Sequence, residues 1–142
     1  MLGLTGGMST IALLRTSAVI SLLFAAGHSL GGTKHWSPMG DNDVLASMTA
    51  VRFDVMGVSR SYLDFYLGFG WTLSVFLLLQ SVLLWQLSTL TRSNGVAVRP
   101  MIAAFTLANM ASTAIAWYLI LPVAALFSAI LLLVLIAAFL KA

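Results

Sequence analysis

Between Asp64 and Arg92, and again between Arg99 and Lys141, the chain carries no charged residue. Few folds can use such stretches. A soluble domain is about one quarter Asp, Glu, Lys and Arg, because charge has to cover its surface. Here the charged fraction is 8%, hydrophobic residues make up 61% and the mean hydropathy is +1.04. Lipid must therefore be the solvent over most of the molecule. In hydrocarbon each backbone N–H and C=O has to be satisfied within the protein, which an α-helix does by itself.

A helical span needs about 20 apolar residues. Four stretches qualify, at about 11–30, 61–90, 101–120 and 122–140. The reading is an all-α integral membrane four-helix bundle, a single domain over residues 1–142. Arg15 with the apolar run from Ala18 to Ala26 has some signal-peptide character, but we read it as the first span. Pro100 and Pro122 stand at the starts of the third and fourth spans, where a helix tolerates proline. So little chain separates those spans that a tight antiparallel hairpin is expected.

The basic residues give an orientation. Arg15, Arg92, Arg99 and Lys141 fall on one side of the predicted membrane, and Lys34, Arg52 and Arg60 on the other. The positive-inside rule counts only these, and four against three places both termini in the cytoplasm. Trp36, Tyr62, Tyr66, Trp117 and Tyr118 then fall near one boundary and Trp85 near the other. The net charge of +3 is small and dispersed, so nucleic acid is not an expected partner.

Residues 31–60 connect the first two spans. Gly31, Gly32, Pro38 and Gly40 break regular structure. Asp41 or Asp43 is then expected to cap a short helix that ends near Gly57. Val44, Met48, Val51 and Val55 recur at helical spacing, with Ser47 and Asp54 on the other side. That pattern predicts a short interfacial amphipathic helix in the first loop.

Chemistry has few places to lie. Cysteine and glutamate are absent, and all four aspartates and both histidines fall between His28 and Asp64. Thiolate metal sites, thiol redox catalysis and S-palmitoylation are thereby excluded. The string Gly27-His28-Ser29-Leu30-Gly31 has the letters of a hydrolase nucleophile elbow. That motif needs a strand before the serine and a helix after it, with an acid and then a histidine downstream. An apolar span precedes Ser29, and no acid separates it from His35. We read its glycines as a helix end that permits close packing.

His28 is the stronger candidate. An ionisable group at membrane depth is a functional hypothesis by default. It would serve as a general base or as a haem ligand; the plainer reading is a histidine bonded to a neighbouring helix. No standard metal-ligand spacing is present, and no metal is expected. Arg60 and Asp64 are four apart and would pair on one helix face, flanked by Tyr62 and Tyr66. They suit an acid/base pair with tyrosine donors, or an interfacial salt bridge within an aromatic belt. His35, Trp36 and Asp54 from the loop, and Asn109 deep in the third span, are candidate ligand-binding residues. For Asn109, interhelical hydrogen bonding explains the position equally well.

At His28, Gly31-Gly32, Phe53-Asp54, Gly57 and the run from Arg60 to Gly70, the chain resembles a family of small, uncharacterised four-helix bacterial membrane proteins. The resemblance implies that fold and a bacterial inner membrane; it transfers no activity. The size and helix count also look like those of small membrane isomerases and of glutathione-dependent eicosanoid enzymes. The glutamate-containing pattern of the latter is impossible here.

The functional expectation is a membrane-embedded enzyme or binding protein for a small lipophilic molecule. His28, Asp64, Arg60, Tyr62 and Tyr66 would perform isomerase-like proton transfer at an outward-facing pocket. The alternative is a non-catalytic structural or accessory subunit, partnered by the bilayer, by its own copies or by a larger membrane complex.

Overall fold

The computed structural model describes residues 9–142. It is mostly helical, and four of its helices are long and apolar enough to cross a membrane: α1 (Thr10–Gly32), α3 (Tyr62–Leu90), α4 (Gly95–Leu119) and α5 (Pro122–Lys141). A short helix α2 (Asp43–Ala50) and two strands, β1 (Arg52–Val55) and β2 (Val58–Ser61), lie between α1 and α3. The chain divides into two compact units, Leu23–Leu78 and Met1–Leu22 with Leu79–Ala142.

In the second of these, one buried cluster draws on all four long helices. Leu13, Leu14 and Ala18 come from α1, Leu84 and Leu87 from α3, Val98 and Ile102 from α4, and Leu131, Leu135 and Ala138 from α5. Lipid tails are as apolar as leucine, so such helices are held by close packing and by hydrogen bonds between them. The α1 and α3 faces supply both. Ser17, Ser21, Ser81 and Ser88 are buried, and the Ser81 hydroxyl donates to the Ala18 carbonyl at 2.7 Å. Small side chains let the two backbones approach, and that bond ties them.

α4 starts earlier than the sequence implies. Asn94 caps it, its side chain accepting from the Ala97 amide at 3.1 Å. Pro100 therefore lies inside the helix rather than in its first turn. Its missing N–H leaves the carbonyl four residues back without its helical donor. The cap at Asn94 sits early enough to win the first turn despite that break. Pro122 behaves as expected, opening α5 directly after the bend at Ile120 and Leu121. α4 and α5 pack against each other.

The loop departs most from expectation. Asn42 caps α2, accepting from the Val44 and Leu45 amides at 3.0 and 3.1 Å; neither Asp41 nor Asp43 does so. The helix ends at Ala50 rather than near Gly57, and the chain is not wholly α-helical. β1 and β2 pair antiparallel, with Phe53 opposite Arg60 and Val55 opposite Val58. Met56 and Gly57 form the two-residue turn, with φ of 52° and 81°. Positive φ at both turn residues matches the twist of a hairpin, and the glycine adopts it at no steric cost. β-Branched Val51 and Val55 fit an extended chain as well as a helical stripe.

Candidate functional site

The Leu23–Leu78 unit is organised around Trp36. Past Gly32 the chain turns back on the end of α1: the His35 amide donates to the Gly32 carbonyl at 3.1 Å and the Trp36 amide to Gly31 at 3.0 Å. This is the paired bonding that closes a helix through a left-handed residue, a position usually held by glycine. Here His35 holds it at φ 54°, and Trp36 follows at φ 48°. Two successive non-glycine residues in that region are unfavourable and persist only where the surroundings fix them.

What fixes them is the seat of the Trp36 ring. Its indole N–H donates to the His28 carbonyl at 2.7 Å. Its ring lies 5.1 Å from the His28 ring and 5.2 Å, edge-on, from that of Trp71. A Cβ on Gly31 would come within 2.8 Å of the indole, and one on Gly32 within 2.7 Å. Gly70 of α3 likewise leaves room only for the ring. The Trp36 carbonyl accepts from the Tyr66 hydroxyl at 3.4 Å. On the far side of His28, Nδ1 lies 2.9 Å from the Ser74 hydroxyl, which also reaches the Gly70 carbonyl at 3.5 Å. With the Ser74 proton on that carbonyl, Nδ1–H is the donor and Nε2 presents its lone pair.

Of the sequence-predicted residues, His28, Trp36 and Tyr66 therefore come together. The others do not join them. Arg60 lies on β2, outside the helix, and donates to the Ser59 carbonyl at 2.9 Å; the expected pairing of Arg60 and Asp64 along one helix face is replaced. The Asp64 carboxylate accepts from the Ser61 amide at 2.8 Å, while the Ser61 hydroxyl accepts from the Asp64 amide at 3.0 Å. That reciprocal pair is a capping box for α3. The Tyr62 ring stands edge-on to Phe53 at 5.3 Å. Asp54 is exposed on β1, opposite Ser59.

His35 lines a separate small groove of about 250 Å³ with Asp41, Asn42, Leu45 and Leu63. Asn109 belongs to the other unit, buried in α4, where its amide nitrogen donates to the Phe105 carbonyl at 2.9 Å. Ser29 is inside α1 and donates to the Ala25 carbonyl at 2.8 Å, so it stands in no strand-to-helix elbow. Among the described residues, no three His or Asp side chains gather closely enough to hold a metal ion.

Ser74 and Trp71 are site residues that sequence reasoning missed. A usable signal existed for the first: Ser74, Ser81 and Ser88 recur every seven residues along α3 and are all buried, marking a packed helix face. The capping box also had a signal, the S-x-x-D spacing before an apolar run.

Comparison with protein-family models, with curated proteins and with solved structures finds no match.

Proposed function

We propose that the protein is an integral membrane four-helix bundle that acts as a non-catalytic component of a larger membrane assembly. One observation carries this reading: the side chains best suited to catalysis are each engaged in local architecture. Asp64 closes the capping box, Arg60 braces β2, Tyr66 supports the Trp36 carbonyl and His28 is wedged between Trp36 and Ser74. The membrane is a bacterial inner membrane, as the family resemblance implies, with both termini cytoplasmic, an orientation supported by Arg15, Arg92, Arg99 and Lys141. α2 lies at the interface, supported by its exposed Val44. Purification from native membranes in mild detergent, followed by mass spectrometry, tests the assembly. A stoichiometric membrane partner or a defined homo-oligomer is expected; a monomer with no companion would overturn the reading.

The contact between His28 and Ser74 favours a second reading, in which this end of the protein binds a small lipophilic molecule and His28 Nε2 takes part in proton transfer. Neither His28 nor Ser74 lines the groove beside His35, so the ligand would reach His28 by another approach. The same mass spectra test it: a lipophilic molecule retained by the wild type and lost from His28→Ala supports it. An absorption spectrum without a Soret band removes haem as the ligand of His28.

A further inference from the structure

The acidic residues are confined to one part of this chain. Every aspartate falls in the Leu23–Leu78 unit and glutamate is absent, so the unit of Met1–Leu22 and Leu79–Ala142 has no acidic side chain. It does carry Arg15, Arg92, Arg99 and Lys141. Its buried cluster brings the start of α1, the end of α3, the start of α4 and the end of α5 together. Arg15 follows Leu14 of that cluster, Arg99 follows Val98, and Arg92 lies in the turn between α3 and α4.

Two of these guanidiniums are held in place by aromatic rings. Arg15 lies 5.0 Å above the Trp85 ring and Arg99 5.0 Å above the Phe139 ring. A guanidinium set over a ring is restricted in position and keeps N–H donors that suit a planar or tetrahedral oxyanion. Arg15 adds a more specific sign: its Nε is enclosed and has no hydrogen-bond partner in the protein. A buried charged donor left unpaired is unfavourable, and this unit has no acidic side chain to offset the charge.

We propose that this basic end binds the phosphate headgroup of an anionic phospholipid, with Arg15 and Arg99 as its pre-oriented ligands and Arg92 adding charge. The inference rests on the membrane placement proposed above. The cytoplasmic leaflet is the anionic one, and each basic residue near it strengthens attraction about fivefold. A headgroup there would meet the terminal guanidinium nitrogens of Arg15, its Nε being enclosed by the protein.

The test uses the full chain in neutral detergent, titrated with phosphatidylglycerol, phosphatidylcholine or inorganic phosphate. Retained lipid is read by native mass spectrometry and stability by the unfolding midpoint. Phosphatidylglycerol should be retained and should raise the midpoint; the other two should do neither. Arg15→Gln should weaken retention about fivefold and the Arg15→Gln/Arg99→Gln pair about 25-fold, whereas Lys34→Gln should change nothing. Equal retention of both lipids would overturn the headgroup site while leaving the membrane placement standing. Retention of neither lipid, or an equal response to inorganic phosphate, would also overturn it. So would arginine variants that match the wild type or Lys34→Gln. If the double variant does not fold, the two lipids compared on the wild type still decide the matter.

Discussion

Trp36 donates its indole N–H to the backbone carbonyl of His28, eight residues earlier, at 2.7 Å. The bond spans the turn that ends α1 and ties its last carbonyls to a ring that α3 also contacts. Trp36→Ala should therefore destabilise the protein by about 3 kcal/mol or more, within the range for removing a packed aromatic. Trp36→Phe would keep part of the ring volume but leave the carbonyl unpaired, with an intermediate loss of about 1–3 kcal/mol. Thermal unfolding in detergent, followed by circular dichroism, measures both. Unfolding midpoints equal to the wild type would show that Trp36 is not the centre of this unit.

The glycines divide into two groups. A methyl on Gly32 would meet the rings of Trp36 and Trp71 at 2.7 and 2.9 Å, whereas one on Gly68 meets nothing within 4 Å. Gly32→Ala should destabilise by about 1–3 kcal/mol through overpacking. Gly68→Ala, on an open face of α3, should be neutral or stabilising by up to about 1 kcal/mol through helix propensity. Midpoints of the two variants measured side by side give the sign of each.

Ser61→Ala removes one half of the capping box and should destabilise by about 1 kcal/mol. Asp64→Asn should be milder than Asp64→Ala, since its remaining oxygen still accepts from the Ser61 amide. An assay of partner or ligand retention separates structure from chemistry. If Asp64→Asn folds normally but abolishes retention, the carboxylate has a role beyond the cap.

His35 occupies a backbone position that glycine fills without penalty. His35→Gly should stabilise the fold by about 1 kcal/mol, unless the imidazole has work to do in the groove it lines. A raised midpoint with unchanged partner retention is the expected result.

Ser81 links α1 to α3 through the Ala18 carbonyl. Ser81→Ala should remove about 0.6 kcal/mol, the average for a hydrogen bond between membrane helices. Ser81→Leu should do far more harm, because its bulk separates the backbones. Equal effects of the two variants would mean that close approach at this position does not matter.

The four long helices were legible because length and lack of charge leave little else for such residues to form. Their ends were less so. Asn94 was passed over as a cap because Pro100, farther along, looked like the natural first turn. The hairpin was hidden because Val51 and Val55 satisfy a period of helix and of strand alike over a short run; Met56-Gly57 was the mark that separated them. Arg60 and Asp64 have helical spacing, but the change from strand to helix falls between them at Ser61. His28, Trp36 and Tyr66 were singled out for their chemistry. Their meeting was not legible, because it depends on Gly70 and Ser74, residues remote in sequence whose small size matters only once α1 and α3 are in contact.

The turn at Met56 and Gly57 also shows where this chain has freedom to grow. Its two residues join strands that end there, and Met56 is 98% exposed. A two-residue connection can lengthen without disturbing any helix, since loop closure changes little with each added residue. An epitope, a fluorophore site or an additional module would be accommodated at that tip more readily than anywhere within the long helices, so diversification of the molecule should start there.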